Sequence, residues 1–218
     1  FEETDAEFMW LSGITICDGM AADFAECKEH IVPAHPFSDD IISVSRKLAE
    51  RFCCDTEHIH QVEIAALKLF DALRKANHLT KKDRLLLQIA AILHNCGSFL
   101  NLNDIGENSY KIVTSTEIIG LSHQERMIVA YVIRYTTGDF PEYSEIKNEF
   151  SREEYIKIAK LNAILCLADA MDRSHQQKFT NFTVRKRGYD LTITGQTLYD
   201  ITLEHGMFIQ KSPFFEEA

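Results

Sequence analysis

At 218 residues, with 45% hydrophobic content, nine glycines and four prolines, the chain can bury one sizeable core and is too apolar to be disordered. A formal net charge of -10 argues against a general electrostatic grip on nucleic acid. No apolar run approaches a transmembrane span and the opening residues lack a signal-peptide layout, so neither a membrane protein nor a secreted one is expected.

Residues 1–36 form an apolar and acidic stretch ending at Pro33 and Pro36, read as a linker or boundary, and the opening at Phe1 in mid-pattern reads as a piece of a longer chain. A helix follows on the stripe Ile41, Val44, Leu48 and Phe52, and Asp55 begins the turn into the next one. From Glu57 to Ala76, Val62, Ala66, Leu69, Phe70 and Leu73 recur at helical spacing. His58 lies one turn before Val62 on that stripe and should face inward, whereas His60 should face solvent. Thr80 with Asp83 announces another helix, apolar from Leu85 to Leu93 and stopped at Gly97, with His94 at its inner end and Asn95 on the polar stripe of Arg84 and Gln88.

After Gly97 an irregular polar stretch leads to a short helix near Tyr110 to Thr116. The pairs Ser122 with Glu125 and Ser151 with Glu154 are capping boxes that open two more helices. In the second, only Asn162 and Asp169 interrupt an apolar run from Leu161 to Met171, and a carboxylate so placed needs a partner, either metal or a pair of histidines. Beyond Ser174 the pattern changes: residues 180–187 and 189–194 alternate as strands around a turn at Arg187-Gly188, and residues 208–217 are suited to a closing helix.

His58, His94 and Asp169, with Asn95, are therefore candidate metal ligands, although any one inward His is more often a hydrogen-bonded core residue. Because Asn offers a neutral oxygen where a bridging carboxylate would serve two cations, the set is suited at most to weak binding of a single divalent ion, and no cofactor is required. Two basic clusters, Lys81, Lys82 and Arg84, and Arg185, Lys186 and Arg187, read as solvated faces with a phosphate contact as the alternative. Six cysteines without CxxC spacing suit reduced thiols in a cytoplasm, and Cys96 beside Asn95 reads as a small buried hydrophobe or an added ligand.

The order His58, His94-Asn95, Asp169 resembles the metal pattern of HD phosphohydrolases with its His-Asp pair changed to His-Asn. More widely, His58-Ile59-His60-Gln61-Val62, Leu93-His94-Asn95-Cys96-Gly97, Ser109-Tyr110, Gly120-Leu121-Ser122, Arg134-Tyr135, the run from Leu167 to Ser174, and Phe214-Phe215-Glu216-Glu217 resemble the C-terminal part of the exopolyphosphatase and guanosine pentaphosphate phosphatase (Ppx/GppA) family. The resemblance implies a mainly α fold: a tail of a preceding actin-like phosphatase domain plus linker over 1–36, an HD-like helical domain over 37–178, and a small β-hairpin and terminal helix over 179–218. In that tail the family usually has Leu-Arg-Glu-Gly where this chain has Ile16-Cys17-Asp18-Gly19.

The resemblance also implies a full-length enzyme that removes terminal phosphates from polyphosphate or pppGpp with Mg²⁺ in its actin-like lobes. The present chain would then be a non-catalytic module, partnered by those lobes and by a second copy, that affects substrate access, chain-length preference or dimerisation. Arg134 joins Arg185, Lys186 and Arg187 as a candidate phosphate contact, and a metal-dependent HD phosphohydrolase is the alternative. Asn108 and Thr136 stand where the family often has His, further departures that point to a vestigial site.

Overall fold

The computed structural model describes residues 15–27, 36–179, 181–188 and 190–218. The chain divides into two compact units, Phe1–Pro36 and Phe37–Ala218. In the first, helix α1 spans Ile16–Cys27 and opens on a reciprocal cap in which Thr15 N–H donates to Asp18 Oδ2 at 2.8 Å and Asp18 N–H to Thr15 Oγ1 at 3.3 Å. The rest of residues 1–36, read above as linker, lies largely outside the described residues.

The second unit is mainly helical: α2 (Phe37–Arg51), α3 (Thr56–Asn77), α4 (Lys81–Leu93), α5 (Ile105–Ser115), α6 (His123–Arg134), α7 (Tyr143–Ile146) and α8 (Arg152–Ala170), then an antiparallel hairpin of β1 (Asn181–Arg187) and β2 (Asp190–Gln196), then α9 (Thr202–Glu217). All three capping boxes read from the sequence form, at Thr80 with Asp83, Ser122 with Glu125 and Ser151 with Glu154. Helices α4 and α8 are apolar almost all round their second halves and are buried accordingly, packed against each other and against α3 and α6. Their facing side chains, among them Leu69 and Phe70 of α3, Leu87, Ile89 and Leu93 of α4, Ile133 of α6, and Leu161 and Leu165 of α8, form one core.

Several boundaries differ from those the sequence pattern predicts. The α4 helix ends at Leu93, and the chain tightens through His94 and Asn95 into a 3-10 turn, Cys96–Phe99. Gly97 is needed for close approach and not as a left-handed helix stop: a Cβ there would collide with Ile105 O and Ser109 N at the start of α5. Helix α5 begins at Ile105, five residues before Tyr110, after Asp104 in the left-handed region at φ 57°. The side-chain amide of Asn108 closes this loop by donating to Asn103 O at 3.2 Å.

The hairpin is in register from Asn181 opposite Gln196 to Arg187 opposite Asp190, so Arg187 lies in the last pair and Gly188, at φ 60°, follows it. Thr180 and Tyr189 lie outside the described residues. Phe182 anchors the hairpin to α3, where Lys68 Nζ lies 4.1 Å from its ring centroid and donates to its carbonyl at 2.9 Å. Helix α9 starts six residues before Phe208, because tertiary partners hold its first turn: buried Glu204 pairs with Lys178 Nζ at 3.1 Å and accepts from the Ser174 hydroxyl. Further along, Lys211 Nζ donates to Thr136 O at 3.0 Å. No described helix is long and apolar enough to cross a membrane.

Candidate metal centre

Three helix ends converge on His58. Asp55 caps α3 by accepting from His58 N–H at 3.2 Å, which places the imidazole in the first turn facing the core. His94 is the C-terminal cap of α4, and Asp169 lies in the last turn of α8. His58 and His94 are buried, Asp169 is partly buried at the rim, and His60 is exposed on the far side of α3.

The side chains form a tight triangle. His58 Nε2 lies 3.2 Å from His94 Nε2 and 3.4 Å from Asp169 Oδ1, and His94 Nε2 lies 3.5 Å from that same oxygen. A tetrahedral ion with bonds of about 2.0–2.1 Å holds its ligand atoms about 3.3 Å apart, so the three edges fit one divalent ion. Among the described residues this is the one His, Cys, Asp and Glu cluster whose ligand atoms converge in this way.

The outer nitrogens are also engaged. His58 Nδ1 meets Asp172 Oδ2 at 2.9 Å, and His94 Nδ1 meets Ala91 O at 2.7 Å. A carbonyl can only accept, so His94 carries its proton on Nδ1 and turns a lone pair on Nε2 toward His58. His58 then donates from both nitrogens, through Nδ1 to Asp172 and through Nε2 toward His94 and Asp169. Burial alone would lower its pKa, but its bonds to Asp169 and Asp172 outweigh that and raise it to about 9. Burial likewise disfavours the charged form of Asp169, yet the bond from the His58 imidazolium holds its carboxyl well below the usual carboxylate range. Without metal, the centre is therefore a proton-loaded ion-pair cluster.

Five residues that the sequence pattern did not assign to the centre complete it. Asp172 fixes His58, and Gln177 N–H donates to the other Asp172 oxygen at 2.7 Å. His175, at φ 56°, stacks on His58 with centroids 3.6 Å apart and is held by Asp55 Oδ2 at 3.0 Å from its Nδ1. Ser109, fully buried, donates to His94 O at 2.9 Å and accepts from Gly97 N–H at 2.8 Å, which braces the turn carrying Asn95. The available signal was Asp172 three residues after Asp169, just past a helix end.

The other candidates lie elsewhere or are already engaged. Asn95 is partly buried in the turn after His94, where its backbone carbonyl accepts from Ser98. Arg134 Nε donates to Glu107 Oε2 at 2.7 Å, and its guanidinium lies 4.5 Å from the Tyr110 ring centroid. Arg185, Lys186 and Arg187 lie on β1, all three exposed, and Lys186 lines a groove with α8 and α9 whose lining includes none of the His58 cluster. In the other basic cluster Arg84 makes a two-pronged contact with Asp71 at 2.9 and 3.0 Å, and Lys82 pairs with Glu125. Cys96 turns its sulfur toward Cys54, at 3.5 Å.

The sequence matches the family described as Ppx/GppA phosphatase, domain III, over residues 42–210. That span takes in the whole centre, from His58 to His175. The chain belongs to the Ppx/GppA phosphatase family. No curated protein matches it. As a Ppx/GppA domain III, the chain implies an N-terminal domain in the full protein, and its family is divalent-metal dependent. Within this Ppx/GppA chain the fit to a single ion rests on the ligand triangle and the two outer hydrogen bonds, which also orient histidines in metal proteins.

Proposed function

We propose that this chain is the non-catalytic, HD-like C-terminal module of a Ppx/GppA phosphatase, acting on polyphosphate or pppGpp only through the actin-like lobes that precede it. Its contribution is to substrate access, chain-length preference or dimerisation. The observation that carries this reading is the composition of the centre: three ligand atoms suit one ion, and the position beside His94 that would supply a bridging anion is Asn95. In place of an ion the centre holds the His58 imidazolium between Asp169 and Asp172. We assign the full-length protein to the cytoplasm and expect it to form a homodimer.

The purified chain should release no phosphate from polyphosphate or from pppGpp, with Mg²⁺ or Mn²⁺ present, in a colorimetric phosphate assay. Release that survives purification and vanishes in His94→Ala would sink the non-catalytic reading. The full-length protein, with its actin-like lobes in place, should show activity under the same conditions.

A second reading, a metal-dependent phosphohydrolase working at this centre, has a specific point in its favour. The Asp172 and Ala91 bonds keep both histidines oriented as ligands, so a bound ion held by His58, His94 and Asp169 would polarise a phosphate oxygen there. Restoring the carboxylate decides how much of that site persists. Asn95→Asp should tighten Mn²⁺ or Zn²⁺ binding at least tenfold and raise the metal-dependent melting temperature, since a ligand that prefers the folded state stabilises it by mass action. Melting that stays unchanged across the titration in both proteins would show that His58, His94 and Asp169 are not arranged as ligands.

A further inference from the structure

Two chain segments meet beneath the His58 centre through sulfur. Helix α2 ends in a Schellman motif: Cys54 N–H donates to Ala49 O at 3.1 Å, Cys53 N–H donates to Glu50 O at 3.0 Å, and Cys53 takes φ 50°. That motif fixes Cys54 immediately before Asp55, the residue that caps α3 and holds His175. Cys96 opens the 3-10 turn immediately after Asn95. Their Sγ atoms lie 3.5 Å apart, both buried, and the same two segments meet again where the Phe52 and Phe99 rings pack edge to face at 5.6 Å.

We infer that Cys54 and Cys96 form a reversible disulfide on exposure to a hydroperoxide, a modification site that joins the segment carrying His58 to the segment carrying His94. The sulfurs need to close by about 1.5 Å to reach a bond of about 2.05 Å. Both residues lie in turns outside the α-helices, where the backbone can shift without breaking a helical hydrogen-bond ladder. The less deeply buried Cys54 is the side from which a small oxidant arrives.

The chemistry balances. The Cys54 sulfur attacks one peroxide oxygen, the O–O bond breaks, and Cys54 becomes a sulfenic acid as the first water leaves with the thiol proton. The Cys96 sulfur then attacks Cys54 Sγ, the S–O bond breaks, and the departing hydroxide leaves as a second water with the Cys96 proton. Two thiols lose two electrons in total, and the peroxide takes them up.

The test treats the purified protein with a few equivalents of hydrogen peroxide, blocks remaining thiols with N-ethylmaleimide, and maps peptides without reduction. The expected result is a Cys54–Cys96 linked peptide, loss of two of the six thiols, and a melting temperature higher by roughly 10 °C for a loop of this length, reversed by dithiothreitol. Cys54→Ala and Cys96→Ala should each abolish both the link and the shift. Cys53→Ser, which changes the neighbouring thiol, should leave both intact. Oxidation confined to Cys17 or Cys53 as sulfinic acid, or a link that runs through Cys53, would overturn the assignment. So would a shift that persists in Cys96→Ala.

Discussion

Replacing Asp172 by leucine is expected to destabilise the protein by about 3–5 kcal/mol near pH 6, the cost of leaving one member of a buried ion pair without its partner. Asp172 is buried and accepts from His58 Nδ1 at 2.9 Å, Gln177 N–H at 2.7 Å and Gln177 Nε2 at 3.2 Å, so the substitution leaves three donors without that acceptor. The pH dependence identifies the cause. The His58 pKa in the fold, about 9, stands above the ordinary value of about 6.5, so the proton favours the folded state. Its stabilisation is complete below about pH 6.5 and is lost as pH rises through about 9, a decline of about 3 kcal/mol for a shift of this size. Urea denaturation of the wild type with chelator, from pH 6 to 9.5, should show that decline. In Asp172→Leu it should be much flatter, and the cost of the substitution should shrink to about 1–3 kcal/mol at the alkaline end, where only a hydrogen bond is lost. A wild-type profile that stays level between pH 6.5 and 9 would mean that His58 is not held as an imidazolium.

The helices were legible where local chemistry determined them. Thr80, Ser122 and Ser151 each stand three residues before an acid, and the apolar runs that follow can only be core. The start of α5 was not, because it depends on contacts remote in sequence: Gly97 passes close to Ile105, and a Cβ at Gly106 would strike Arg134 O. The beginning of α9 was hidden for the same reason. Ile201 offers no side-chain cap and Pro213 breaks the pattern, while the first turn depends on Ser174 and Lys178 from before the hairpin. At the centre, spacing picked out His58, His94 and Asp169, which the structure brings together. It could not pick out Asp172 and His175 as their companions, since these act on His58 and Asp55 across more than a hundred residues, and Asp55 itself read only as the start of a turn.

Metal binding should tighten steeply as pH rises, because the ion and the His58 proton compete for one lone pair. To serve as a ligand, His58 must give up the proton on Nε2 that now points toward Asp169 and His94, while its Nδ1–H stays with Asp172. With that proton leaving at about pH 9, the apparent affinity at pH 7 falls about a hundredfold below its limit and recovers about tenfold for each unit up to pH 9. Calorimetric titration with Zn²⁺ or Mn²⁺ at pH 7.0, 8.0 and 8.5 measures this directly, and the stoichiometry should be one ion per chain. Asp169→Leu separates ligand from brace. In chelator it should cost most near pH 6, where the His58 imidazolium loses an ion-pair partner, and fall to about 1–3 kcal/mol at the alkaline end, for the unsatisfied histidines it leaves behind. With metal at a hundred times its dissociation constant the wild type should gain a further 2.7 kcal/mol, roughly, and the variant nothing. At pH 7 the metal-dependent part should be small and the brace should dominate, which accounts for a centre that keeps its histidines and both outer hydrogen bonds with Asn95 in place of a bridging carboxylate. Binding that is already tight at pH 7 and indifferent to pH would show that the proton-loaded cluster is not the resting state of this site.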